Sequence, residues 1–333
     1  MFPSRRRLAA FAVPLLLVPA ACGGGSEDDA DLQQVDYLTS FNTFGRDAYV
    51  YVAIEKGYFE DEGLEVDVKP GTGSVDVMKL VASGQADFGA ADFSTVAATV
   101  ANEDIPVKAV GMVHQQSLAA IVTLADTGIE DPAELEGASI ADQAGSTNQV
   151  LFPAYAEAAG FDGSSVTFVP SAPPSLPQLL ASGQVDAIGQ FVVGKGLIEA
   201  AAQGREAKFF PYSEFLPDLY GNAVVASDTL IADDPELVEK FTRALLRGLE
   251  YSIENPEETG DILAQYQPTQ DPAVAAGEVE LMADYVTGDD DALLGSIDEE
   301  RVASIIEELT QGGAVTKPVE AGDLVALDLT PKD

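Results

Sequence analysis

One cysteine, Cys22, and one histidine, His114, occur in 333 residues. A lone cysteine excludes an intramolecular disulfide and a thiolate metal site, and a lone histidine leaves no metal cluster to be read from the chain. Positive charge is scarce too: 17 Lys and Arg stand against 56 Asp and Glu, a net charge of −39. Nucleic acid is thereby excluded as a partner, because a phosphate backbone demands a basic surface. So large an excess of carboxylates reads as a solubility feature of the surface. It would also repel an anionic bilayer, so any attachment to a membrane has to come from something other than a basic patch.

Residues 1–21 stand apart from the rest. Arg5, Arg6 and Arg7 precede an apolar run from Leu8 to Val18 and small residues before Cys22, the shape of a secretory signal and too short for a retained span. Ser4-Arg5-Arg6 adds a hint of twin-arginine export. Removal of this segment takes away three arginines and no acid, leaving 14 basic against 56 acidic groups, a net of −42. Val18-Pro19-Ala20-Ala21-Cys22 resembles the bacterial lipoprotein cleavage box, with Pro19 where that box usually carries an aliphatic residue. The plainer alternative is an ordinary signal with a stray cysteine. The run Gly23 to Asp29 then reads as part of a flexible acidic tether over residues 22–34.

The 46% apolar content of the whole sequence suffices for two domains in the chain beyond this segment. A six-residue pattern occurs twice: Ala82-Ser83-Gly84-Gln85-Ala86-Asp87 and Ala181-Ser182-Gly183-Gln184-Val185-Asp186, each between an apolar helical run and a short strand. Gly84 and Gly183 fall where a helix C-terminus takes a left-handed residue. The repeat predicts two α/β lobes built to one plan. Strands are expected at residues 35–38, 64–68, 88–91 and 107–112 of the first lobe and at 140–142, 166–169 and 185–188 of the second, with helices between them. The chain is expected to cross near 116–120 and return near 223–227, giving lobe 1 as 35–118 with 226–333 and lobe 2 as 119–225. From Pro235 the spacing is helical, Leu237, Phe241, Leu245 and Leu249 recurring every fourth residue. Asn255-Pro256, Gln267-Pro268 and Asp271-Pro272 divide this tail into separate helices that pack on the first lobe.

Tyr51 to Val68, Y-V-A-I-E-K-G-Y-F-E-D-E-G-L-E-V-D-V, followed by Gly71-Thr72-Gly73-Ser74 and S-G-Q-A-D-F-G, resembles the periplasmic-binding family for nitrate, sulfonates, taurine and thiamine-pyrimidine precursors. The likeness continues through Leu135 to Ile140 and Gly145-Ser146-Thr147. It implies a two-lobed type II periplasmic-binding-protein fold with two crossings, and a monomeric protein that delivers a small solute to an ABC permease and its ATPase. With Cys22 lipidated, such a protein would sit on the extracytoplasmic face of the cell membrane. A sensor that docks on a membrane receptor would share these features.

Ligands on open α/β sheets bind beyond the carboxyl ends of the strands. That rule selects Phe41, Asn42, Arg46, Asp47, Gly73, Ser74, Asp92, Phe93 and Ser94 in the first lobe, with Ser74 also expected to cap a helix. In the second it selects Gln143, Ser146, Thr147, Asn148, Gln190 and Phe191, with Tyr220 and Asn222 near the return. Each has a structural alternative: the phenylalanines as core, Gly71 to Ser74 as a plain turn, Arg46 and Asp47 as a surface pair, Asp92 as a helix cap, His114 as a hinge or surface residue. An ionised carboxylate only accepts hydrogen bonds, so Asp47 and Asp92 favour a nitrogen-bearing solute over a sulfonate, with Arg46 acting the other way. No cofactor is called for. Some relatives of this fold are enzymes that consume a histidine and pyridoxal phosphate to make the thiamine pyrimidine, with a lysine and a histidine after the third strand. Ala90 and Ser94 occupy those positions here, which argues against catalysis.

Overall fold

A computed structural model describes residues 32–287 and 293–331; the signal segment, Cys22 and nearly all of the tether lie outside them. In chain order the strands are β1 (Gln33–Leu38), β2 (Phe41–Asn42), β3 (Leu64–Lys69), β4 (Gly71–Thr72), β5 (Phe88–Asp92), β6 (Val107–Met112), β7 (Ala119–Leu124), β8 (Ser139–Asp142), β9 (Thr167–Pro170), β10 (Ala187–Phe191), β11 (Ala207–Pro211) and β12 (Asn222–Ser227). Two five-stranded sheets result, ordered β3-β1-β5-β12-β6 and β9-β8-β10-β7-β11.

The sheets repeat one design. In each, four strands run in one direction and the fourth in spatial order, β12 or β7, is antiparallel to both of its neighbours. These two antiparallel strands are buried throughout, as the largely apolar runs Ala119–Leu124 and Asn222–Ser227 require once both faces are covered. β12 occupies the stretch where the return crossing is expected, yet it is an interior strand of the first sheet. The crossings therefore lie at residues 113–118 and 212–221, and they pair with each other through Ser117 N–H to Leu219 O at 2.8 Å and Gly221 N–H to His114 O at 3.1 Å.

The repeated hexapeptide explains the start of the third strand in each sheet. Gly84 and Gly183 take φ of 69° and 67° and end the preceding helix. Asp87 then accepts the Asp36 N–H at 2.8 Å, and Asp186 accepts the Ser139 N–H at 2.8 Å, so each aspartate ties the third strand in spatial order to the second.

The tail helix Pro235–Glu254 buries Leu237, Phe241, Leu245 and Leu249, with Phe241 stacked on Phe88 of β5 at 4.0 Å between centroids. A methyl group on Gly248 would lie 2.4 Å from the Tyr49 carbonyl oxygen, so this glycine permits helix Tyr49–Glu55 to approach. The tail packs on the first lobe and also reaches the second: Pro272–Thr287 lies against both the Gly45–Asp47 turn and Val192–Gly194, and Glu299–Gln311 against both Phe93–Glu103 and Thr147–Ala158.

Candidate functional site

The antiparallel register brings Asn222 opposite Asp92, so the carboxyl ends of β1 and β5 and the first residue of β12 share one edge. Asn222 donates through its side chain to Ser40 Oγ at 3.1 Å, and its backbone N–H goes to His114 Nδ1 at 3.2 Å. With Nδ1 as acceptor, the imidazole proton belongs on Nε2, which is buried and without a partner. Burial, with the nearby Arg46 charge as a second cause, pushes the His114 pKa down to about 3, so the ring is neutral. His114 is thus a buried crossing residue carrying a free N–H donor.

Arg46 is the centre of a second buried group. It sits in the Gly45–Asp47 turn, where a methyl group on Gly45 would fall 2.4 Å from the Ala275 carbonyl oxygen of the tail. The guanidinium donates to Phe41 O at 3.2 Å, approaches Asp47 at 3.8 Å, and lies 4.9 Å and 5.0 Å from the ring centroids of Phe44 and Phe191. Phe191 ends β10, so this contact spans the lobes. Asp47 accepts the Phe44 N–H at 3.1 Å through one oxygen; the other is buried and unpaired. Burial raises the Asp47 pKa to about 6 against the pull of Arg46, and it raises that of Glu278 on the tail helix, whose Oε2 is likewise buried and unpaired. A groove of about 360 Å³ between the second lobe and the tail, with Val193, Lys195, Val274 and Leu281 on its walls, includes Glu278.

In the second lobe Asp142, at the end of β8, organises the loop that follows. Its carboxylate accepts from Gln143 N at 2.7 Å and from the Ser146 hydroxyl, while Ser146 Oγ accepts from Gln149 N at 3.1 Å and so caps helix Thr147–Ala158. Burial raises the Asp142 pKa to about 6. A methyl group on Gly189 would lie 2.1 Å from Asp142 Oδ2, so β10 passes close beneath this carboxylate only because residue 189 has no side chain. Asn148 donates to Gln190 O at 3.3 Å, and the carbonyl of Asn148 accepts from Tyr212 OH at 2.9 Å.

The lobes touch where Thr95 and Thr147 bring their hydroxyls to 3.0 Å. Asp92 accepts both the N–H and the hydroxyl of Thr95, at 3.1 and 3.3 Å, and caps helix Phe93–Glu103. The cap reading is realised, through Oδ1, and burial raises the Asp92 pKa to about 7.

Other expected residues take structural places. Ser74 does not cap its helix: Gly73, at φ 127°, is the N-cap, and the Ser74 hydroxyl accepts the Asp92 N–H at 3.0 Å. Phe93 is fully buried with its ring edge-on to Tyr220, and the Tyr220 hydroxyl accepts Asp298 N–H at 3.0 Å. Asn42 is exposed at φ 52° in a short ribbon with β4. Ser94 Oγ, Asn148 Oδ1 and Thr43 Oγ1 are buried and unpaired. Three residues of this region were not candidates from sequence: His114, Glu278 and Asp142. The rule that selected Asp92, an aspartate at the end of an apolar strand, applies equally to Asp142. Glu278 has no local signal, because only the folded tail brings it to Arg46.

The NMT1/THI5-like family model matches residues 46–259. The chain belongs to this family. Among curated relatives, a formylaminopyrimidine-binding protein of Halalkalibacterium halodurans is 25% identical over 262 residues, covering 78% of this chain and 79% of that one. A 4-amino-5-hydroxymethyl-2-methylpyrimidine phosphate synthase of Aspergillus parasiticus is 28% identical, covering 67% and 68%. The periplasmic aliphatic sulphonate binding protein of Escherichia coli superposes with a TM-score of 0.71 at 14% identity, covering 89% of this chain and 92% of that structure. This member of the family has the two-lobed periplasmic-binding-protein fold.

Proposed function

We propose that the protein is the extracytoplasmic solute-binding component of an ABC importer and that its solute is a nitrogen-bearing ring of the aminopyrimidine class, held between the lobes. The observation that carries this reading is the set of buried, unpaired polar atoms around Arg46: Asp47 Oδ1, Glu278 Oε2, His114 Nε2 and Thr43 Oγ1. Buried polar atoms are seldom left unpaired, each costing roughly 1–3 kcal/mol, and solute groups that complete them would recover that cost. The two carboxylate oxygens accept from N–H groups, and Phe44 and Phe191 supply ring faces beside them.

A sulfonate would bring its own oxygens against Asp47 and Glu278. At intermediate dielectric two like charges about 4 Å apart repel by about 4 kcal/mol, and Arg46 is already engaged by Asp47, Phe41 O and two rings. Asp92, the other carboxylate expected at the cleft, is committed to its helix. The name of the Halalkalibacterium relative agrees with this class of solute.

Binding is favoured over the synthase activity named for the Aspergillus relative. Ala90 and Ser94 stand where the enzyme subgroup's lysine and histidine are expected, and Ala90 is buried inside β5, so the residues present do not fit pyridoxal phosphate. Export, a diacylated Cys22 and a monomeric state complete the proposal.

Thermal denaturation with formylaminopyrimidine, 4-aminopyrimidine, taurine or nitrate tests the solute class, since ligand at a hundred times its Kd adds about 2.7 kcal/mol. Stabilisation by an aminopyrimidine, lost in Asp47→Asn and Glu278→Gln, is expected. Stabilisation by taurine alone, retained in both variants, would overturn it.

A further inference from the structure

Arg301, near the start of helix Glu299–Gln311, joins the two crossings. Its Nε donates to Asp218 O at 2.7 Å and its Nη2 to Gln115 O, with Pro217 O at 3.5 Å, while its Cζ lies 3.9 Å from the centroid of Tyr220. Gln115 belongs to the first crossing; Pro217, Asp218 and Tyr220 belong to the second. One planar cation therefore grips carbonyls on both. Neighbouring bonds reinforce the grip: Gln115 Nε2 to Ser296 O at 3.1 Å, and Ser304 Oγ to Asp218 Oδ2 at 2.9 Å.

The helix is secured in turn to the first lobe and also packs on helix Thr147–Ala158 of the second. Val302, Ile305 and Leu309 are fully buried, and Asn102 of helix Phe93–Glu103 donates to Ala314 O at 2.8 Å and accepts Thr316 N–H at 2.9 Å just beyond the helix end. Rotation of one lobe against the other requires φ and ψ changes within the crossings. Peptide groups held on one guanidinium cannot turn independently, so the bending is confined to the crossing residues that it does not hold, 212–216 among them.

We propose that Arg301 is a positioning residue for solute capture: it ties both crossings to one helix that packs on both lobes and thereby sets how readily the cleft opens and lets its solute go. This rests on the solute-binding reading above. Lysine can reach one carbonyl but lacks the flat fork that serves two and stacks on a ring, so the effect belongs to arginine.

The test compares the purified mature protein with Arg301→Ala, Arg301→Lys and Ile305→Ala, the last loosening the same helix without removing any bond of the guanidinium. Small-angle scattering without ligand should give a larger radius of gyration for Arg301→Ala than for the parent, with Arg301→Lys between and Ile305→Ala at the parental value. Stopped-flow release of formylaminopyrimidine should quicken about tenfold in Arg301→Ala, the loss of one charge-assisted bond, with association little changed. An Arg301→Ala protein whose scattering matches the parent or Ile305→Ala would overturn the proposal. The ligand-free comparison decides the role of Arg301 whatever the cleft takes, whereas failure of every variant and the parent to bind aminopyrimidine would overturn the solute assignment alone.

Discussion

Thr95 Oγ1 and Thr147 Oγ1 lie 3.0 Å apart, buried, where the first turns of two helices from opposite lobes meet. Each helix begins at the carboxyl end of its own sheet and carries its own cap, Asp92 on one side and Ser146 on the other. The contact consequently reports closure between two frames that are each fixed internally. Arg46 against Phe191 is the second such report.

Thr147→Val keeps the branched shape and removes the hydroxyl that bridges the lobes. Solute affinity should fall about three- to tenfold, mostly through faster release, as expected for one net hydrogen bond of roughly 1 kcal/mol. The unliganded protein should change by no more than about 1 kcal/mol in denaturant unfolding. Unaltered affinity in calorimetric titration would remove the Thr95–Thr147 contact from the closure mechanism.

Stability should rise as pH is lowered from 7 to 5. Asp92 keeps its proton to about pH 7 when folded, and Asp47 and Asp142 to about 6, all because burial penalises the charge. The unfolded chain releases the same protons near the model-peptide value of 3.8. Their contribution is therefore complete below that value and is lost as pH climbs through the folded pKa, by a few kcal/mol for Asp92 at about 1.4 kcal/mol per unit. Urea unfolding at pH 5, 6 and 7 should slope downward in the parent and less steeply in Asp92→Asn. Parallel slopes in the two proteins would contradict a buried Asp92 that holds its proton to about pH 7.

Gly189→Ala places a methyl group 2.1 Å from Asp142 Oδ2 in the unrelaxed structure. Relief requires the carboxylate to leave Ser146 and the Gln143 amide, so overpacking of this kind should cost about 1–3 kcal/mol and loosen the loop that leads into Thr147. Asp142→Asn should lose less, since an amide oxygen still accepts. Equal thermal stability of Gly189→Ala and the parent would show that the strand can shift to make room.

Cys22→Ser should release the protein from the membrane fraction and change its mobility on a gel. A diacylated cysteine buries enough methylene groups for stable attachment, whereas a single chain anchors only marginally. Continued sedimentation of Cys22→Ser with membranes would end the proposal of a lipid anchor.

The sequence by itself determined what is encoded within a few residues. Gly84 and Gly183 end helices because a left-handed residue is needed there, Asn255-Pro256 breaks the tail because proline cannot continue it, and the duplicated hexapeptide foretells the duplicated sheet. Asp92 was legible as a strand-end aspartate with a contact and a cap as alternatives; the cap bond to the Thr95 N–H is visible only in the folded structure. Other choices were made only by packing. The stretch 223–227 reads from sequence as the return crossing, whereas strand Asn222–Ser227 takes its place between β5 and β6 from partners more than a hundred residues away. Glu278 and Asp47 share a site because the tail folds over the Gly45–Asp47 turn, and Arg301 meets Gln115 and Asp218 because that tail returns to the crossings. Local spacing sets helical and extended periods; it does not specify which distant surface will cover a charge, and that is settled by the burial of the whole chain.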